Sequence, residues 1–141
     1  MSAALVRRTS VQSIPTATTT YLQFEEAVHD AAGLWSINSS SLLAVPDSAK
    51  WVQLRANVSW DAAGGSTNTW CEFHKNGAKF NGGGGSIKTN RSTATDQQWF
   101  TSAPVEVVSG DTFQVQVWHN KGSNQNVNTA NATWFGIEII E

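Results

Sequence analysis

Two stretches near the end of the chain alternate apolar and polar residues with a period of two. The first is Thr112-Phe113-Gln114-Val115-Gln116-Val117-Trp118-His119. The second is Thr133-Trp134-Phe135-Gly136-Ile137-Glu138-Ile139-Ile140. Successive side chains of a strand point to opposite faces, so Phe113, Val115 and Val117 share one face and Gln114, Gln116 and Trp118 the other. Residues 51–60 repeat the pattern, with Val52, Leu54, Ala56, Val58 and Trp60 opposite Trp51, Gln53, Arg55, Asn57 and Ser59. Helical spacing is weak and confined to Glu25–Asn38, where Gly33 interrupts it. The chain reads as all-β.

The remaining segments fit that class. Residues 1–20, rich in Ser and Thr and carrying Pro15, keep no period and read as a flexible N-terminal arm. Tyr21-Leu22-Gln23-Phe24 opens the body, and residues 25–38 read as a loop with one helical turn at most. A short strand over 41–45 stops at Pro46, which cannot donate to a ladder. Asp61-Ala62-Ala63-Gly64-Gly65 turns the chain into a strand over 69–75, where Cys71 and Phe73 oppose Trp70, Glu72 and His74. Asn76-Gly77 then marks a two-residue hairpin, because both residues accept the positive φ of a type I′ turn. Ala78-Lys79-Phe80 begins the return strand and runs into Gly82–Gly85, expected to be a mobile loop. Residues 87–95 are polar and without period. Short strands are expected at 98–101 and 105–108, and at Val127 beyond a polar loop over 121–126. Eight or nine short strands with turns between them describe an antiparallel sandwich.

Composition narrows the function. Charge is low, 14% DEKR with a formal net of −2, so no basic face exists for a nucleic acid. No apolar run approaches the roughly 20 residues of a membrane helix, and no signal peptide is visible. The single cysteine, Cys71, rules out an intrachain disulfide. His29, His74 and His119 have no zinc-like spacing, and the acids sit mostly at turns, so neither a metal, a cofactor nor a catalytic carboxylate pair is expected. Asp111, after Gly110, reads as a turn residue bonding nearby N–H groups. Seven tryptophans in 141 residues are too many for one small core. Each buries on the order of 150–250 Å², and some are expected between subunits or at a binding surface.

Read in order, Tyr21-Leu22-Gln23-Phe24, Leu43-Ala44-Val45-Pro46, Val58-Ser59-Trp60, Lys75-Asn76-Gly77, Val107-Val108-Ser109-Gly110-Asp111-Thr112-Phe113 and Thr133-Trp134-Phe135-Gly136-Ile137 resemble the complement globular-head and tumour-necrosis-factor-like jelly roll, in the form of its bacterial and phage versions. The resemblance spans about residues 20–140, so the jelly-roll domain is expected over 21–141. It implies a ten-stranded two-sheet sandwich assembled as a homotrimer, with inner strands meeting around an axis through aromatic residues. Trp118 and Trp134 lie opposite their strands' core residues and, with Gly136, are the expected trimer-interface residues. A metal-binding ring of His74 or His119 on the axis is conceivable on the same basis.

The resulting expectation is a non-enzymatic phage virion protein on the capsid surface, a decoration or cement trimer. Its arm residues Val6, Arg7, Arg8, Val11 and Ile14 would order on the major capsid protein, with the loops at 82–85 and 124–128 facing outward. The alternative is a receptor-binding head of a tail fibre or surface adhesin, in which Trp70, Trp99 and Asn124 contact a host-surface glycan.

Overall fold

A computed structural model describes residues 3–61, 67–91, 96–129 and 132–141, with the backbone alone at Asn90 and Arg91. Beyond Asp61 the turn expected at 61–65 lies outside the described residues, as does the end of the polar stretch at 92–95. The strands are β1 (Ala3–Arg7), β2 (Gln12–Ile14), β3 (Thr20–Tyr21), β4 (Glu26–Asp30), β5 (Leu43–Ala44), β6 (Trp51–Trp60), β7 (Thr67–Lys75), β8 (Gly85–Arg91), β9 (Asp96–Thr101), β10 (Val105–Glu106), β11 (Thr112–His119), β12 (Gln125–Val127) and β13 (Trp134–Ile139). One 3₁₀ turn, Ile37–Ser39, is capped by the Ser36 side chain accepting from the Asn38 N–H. No α-helix occurs among the described residues.

All pairings are antiparallel and fall into two sheets packed as a jelly-roll sandwich. In sheet A the long strand β6 is flanked on one side by β13 and then β12, and on the other by β10 and then β9. β1 lies outside β13, β2 outside β12, and β4 outside β1. The sheet thus has five lanes, with β4 at one edge and β9 at the other. In sheet B, β11 is paired by β3 and β5 on one side and β7 on the other, and β8 closes the edge.

The alternating positions do what their period requires. β11 buries every second residue from Phe113 to His119, and β13 buries Phe135 and Ile137. Aromatic rings bridge the layers, with Phe73 lying 4.5 Å from Phe100 and 5.8 Å from Phe135 between centroids. The core also carries a buried amide. Gln98 accepts from the Trp60 indole N–H at 2.7 Å and donates to the Ser86 carbonyl at 3.0 Å, tying sheet A to sheet B. His119 is fully buried. Its Nε2 donates to the Ile14 carbonyl at 2.7 Å, and its Nδ1 accepts from the Lys121 N–H at 3.1 Å. Both nitrogens are therefore occupied inside one subunit, and the ring cannot reach a symmetry axis.

Four expectations need correction. The N-terminal segment is not an arm. β1 sits between β4 and β13, and β2 pairs with β12, so Val6 and Ile14 are fully buried in the core. Arg7 bonds Glu26 at 2.9 Å, and Arg8 is buried. Only Val11, at the bend between β1 and β2, is largely exposed. The sequence hides this because β1 has five residues, two of them alanine.

Second, residues 25–38 contain β4 rather than only a loop. Strand structure in the region of 21–24 is limited to Thr20–Tyr21, although Leu22 and Phe24 are both buried and the Leu22 N–H bonds the Val115 carbonyl at 2.9 Å. Third, Asn76 and Gly77 adopt the expected positive φ, but Ala78–Phe80 makes a single bridge and β8 starts only at Gly85. Fourth, the glycine run is packed, not loose. A Cβ on Gly84, whose φ is +73°, would lie 2.5 Å from the Thr101 carbonyl oxygen, and one on Gly85 would lie 2.6 Å from that of Cys71. The Ala103 N–H also bonds the Gly82 carbonyl at 2.9 Å. Glycine is needed here for close approach, between the two sheets at Gly84 and within sheet B at Gly85.

If β1 belongs to the folding unit, deleting residues 1–8 exposes the flank of β13 and removes two ladders. The truncated chain is expected to lose its cooperative thermal transition by near-ultraviolet circular dichroism. A melting temperature within a few degrees of the full chain would place β1 outside that unit.

Candidate functional site

The outward face of sheet A is built in rows by the strand register. One row reads Glu26, Arg7, Trp134, Asn57, Trp99 across β4, β1, β13, β6 and β9. The next reads Leu5, Gly136, Arg55, Thr101 across β1, β13, β6 and β9. The register of β4 slips between Leu5 and Val6, leaving Val28 as the extra residue of a bulge. Bulges re-aim side chains, and Val28 is 51% exposed on this face.

Because Gly136 has no side chain, a groove of about 430 Å³ opens over it, walled by Leu5, Val28, Arg55, Trp134, Ile137 and Glu138. A second recess of about 570 Å³, lined by Gln53, Trp99 and Thr101, lies across the ridge that Arg55 and Trp134 form between the two. Trp99, 68% exposed, packs edge-on against Trp134 with 6.1 Å between centroids. The charges on this face are paired, Arg55 with Glu138 at 3.2 Å and Arg7 with Glu26 at 2.9 Å. Exposed pairs of this kind add at most about 1 kcal/mol each. They leave the face neutral.

The outward face of sheet B carries the other aromatic cluster. Ile87, Trp70 and Trp118 stand side by side on β8, β7 and β11. The two indoles meet edge-to-face at 4.7 Å, with Ile87 72% exposed. Recesses of about 130 and 450 Å³ flank Trp70, and both are bordered by Glu72 and Lys79, which bond each other at 3.2 Å. Glu72 also holds His74 Nε2 at 3.1 Å, while His74 Nδ1 meets the Tyr21 hydroxyl at 2.9 Å. His74 is thus committed to the sheet's own hydrogen bonding.

The residues expected to act together are redistributed. Trp134 and Gly136 share the groove on sheet A, whereas Trp118 lies on the opposite sheet beside Trp70. Trp99 joins Trp134, not Trp70. Asn124 is exposed just before β12 and lines none of these recesses. Of the seven tryptophans only Trp60 is fully buried. Val28 carried no sequence signal, because a bulge depends on the partner strand. No cluster of three or more His, Cys, Asp or Glu with metal-ligand geometry occurs among the described residues, nor a helix long and apolar enough to cross a membrane.

Two carboxyls are tuned by the fold. Burial pushes Asp111 up, but bonds from the Asn76 amide, the Val108 N–H and Lys75 outweigh it and hold the group below its ordinary value. Burial acts likewise on Glu25. There the Ser10 hydroxyl and N–H, the Thr9 N–H and Arg8 prevail, and the group again ends low. Burial in turn lowers the Arg8 guanidinium, with Glu25 opposing. The first network braces the turn into β11, and the second braces the bend between β1 and β2.

Neither a protein-family model nor a curated protein matches the sequence. Solved structures do match in fold. Murine APRIL at pH 5.0 superposes with a TM-score of 0.63 at 14% identity, covering 96% of this chain and 97% of that one. Eiger TNF from S. frugiperda gives 0.58 at 10% identity, covering 99% and 92%. Murine APRIL at pH 8.5 gives 0.58 at 13% identity. The fold is the TNF-like jelly roll.

Both tuned carboxyls titrate lower in the folded chain than in the unfolded one. Each therefore stabilises the fold above the ordinary carboxylate range and loses that contribution as pH falls through its lowered value. Urea midpoints should fall between pH 5 and pH 3, and Asp111→Asn should flatten part of that slope. Parallel slopes in the two proteins would remove Asp111 as a cause.

Proposed function

We propose that this chain is a non-catalytic, self-assembling binding head: a homotrimer in which the outward face of sheet A meets the same face of two further copies. The observation that carries this reading is the neutral aromatic surface on that face, with Leu5, Val28, Trp99 and Trp134 left wet in a single copy. Contiguous exposed apolar patches of this sort mark interaction surfaces. The TNF-like fold is compatible with a trimeric binding or structural domain.

The setting we propose is the virion surface. Capsid decoration through an N-terminal arm has no basis once β1 and β2 are sheet strands. The receptor-binding head gains support from Trp70, Trp118 and Ile87, which stay uncovered when sheet A is used for assembly. An indole face beside Gln116, Glu72 and Lys79 offers both stacking and hydrogen bonds, which suits a neutral glycan of the host surface.

Light scattering on the purified chain should return about three times the 15.2 kDa of one copy. Arg55→Glu sets a like charge beside Glu138 and should give a folded monomer; a wild-type monomer rejects the trimer. Neutral oligosaccharides should quench indole fluorescence in the wild type and several-fold less in Trp70→Ala. Equal quenching in both would remove Trp70 from the contact.

A further inference from the structure

Resting on the self-assembly reading above, we infer that Trp99 of one copy seats in the groove over Gly136 of the next, so that the trimer closes through three identical knob-in-groove contacts. Glycine in a strand interior weakens the strand unless something approaches it closely. Nothing within this copy requires it. Gly136 has no positive φ, and a Cβ there would meet no atom nearer than 3.4 Å, an ordinary contact. The missing side chain serves only to leave the groove open.

The occupant follows from charge and from position. Around the groove Arg55 and Glu138 cancel, as do Arg7 and Glu26, so a charged group entering it would be desolvated without a partner. A neutral apolar group fits. The outward residues of β9 are Gln97, Trp99 and Thr101, all uncharged, and Trp99 is the large apolar one, with its indole N–H already bonded to Gln97 at 3.2 Å.

When three copies of one face surround a three-fold axis, each face touches one neighbour with one edge and the other neighbour with its opposite edge. Trp99 lies on the β9 edge of sheet A. The groove lies between β13 and β1, two to three lanes away, or about 12 Å at the usual strand spacing. Knob and groove are thus different patches of one surface. In the trimer proposed above each copy gives its knob to one neighbour and its groove to the other, a heterologous contact that closes a ring, whereas reciprocal use by two copies would close a two-fold dimer.

The test uses the full chain and light scattering, with circular dichroism to confirm folding. Trp99→Ala removes the knob and Gly136→Trp fills the groove, and each alone should run as a folded monomer. Mixed, they supply one intact groove and one intact knob, and a 1:1 heterodimer of about twice the chain mass should appear at high concentration. Wild type running as a monomer defeats the assembly reading itself. Wild-type trimers with either single variant still trimeric defeat the knob-in-groove contact alone, as do monomeric variants that form no heterodimer on mixing.

Discussion

Strand β6 is hydrogen-bonded along both flanks, to β13 and β12 on one side and to β9 and β10 on the other. Its register fixes every row of sheet A. Because the side-chain period is two, a slip by one residue would bring Trp51, Gln53, Arg55 and Asn57 inward and expel Val52, Leu54, Val58 and Trp60. Four large apolar groups entering water, at about 1.5–3 kcal/mol each, outweigh any gain from the alternative pairing. The neutral outer face exists because this constraint places the charged and aromatic residues of five lanes on one side. Once Ala56 faces the core, Arg55 must stand next to Gly136 and Asn57 must lie between Trp134 and Trp99.

Register alone does not position one sheet over the other, and apolar packing is not directional. The Gln98 amide supplies direction. It bonds Trp60 in its own sheet and the Ser86 backbone in the other, at a depth where an unmet partner would cost about 1–3 kcal/mol. The packed glycines act at the same edge, since Gly84 lets the start of β8 approach the end of β9, and Gly85 lets it approach β7, more closely than any side chain would permit. His119 does comparable work on the other side of Trp60, 5.9 Å from it between ring centroids, where it ties β11 to the carbonyl of Ile14. The N-terminal segment is thereby fixed to both sheets, which explains why it behaves as strand and not as tail.

Much of the fold was legible in the sequence. The alternation in β6, β11 and β13 announced both their conformation and their buried faces, and Asn76-Gly77 announced its turn. What stayed hidden has physical causes. β2, β3, β5, β10 and β12 have two or three residues each, too few to show any period. The glycine run is ambiguous by nature, because the same residue serves flexibility and close approach, and only the neighbours decide. Alternation tells which side of a strand a residue occupies, but not which sheet the strand joins. Trp118 and Trp134 therefore looked equivalent from the sequence, although they sit on opposite faces of the sandwich.

That separation bears on how the surplus indoles are used. A flat contact covers one face of a sandwich, so Trp99 and Trp134 can be buried together only in an arrangement that leaves Trp70 and Trp118 outside. Trp99 has the most to gain. With 68% of its surface exposed, and an indole hiding roughly 150–250 Å² when fully enclosed, its burial is worth about 2.5–4 kcal/mol. Trp70 already leans on Trp118, and it keeps a wet face whether the chain is alone or assembled. One cluster is thus suited to permanent enclosure by a copy of the same chain. The other, hydrated and bordered by hydrogen-bonding groups, is suited to a ligand that comes and goes.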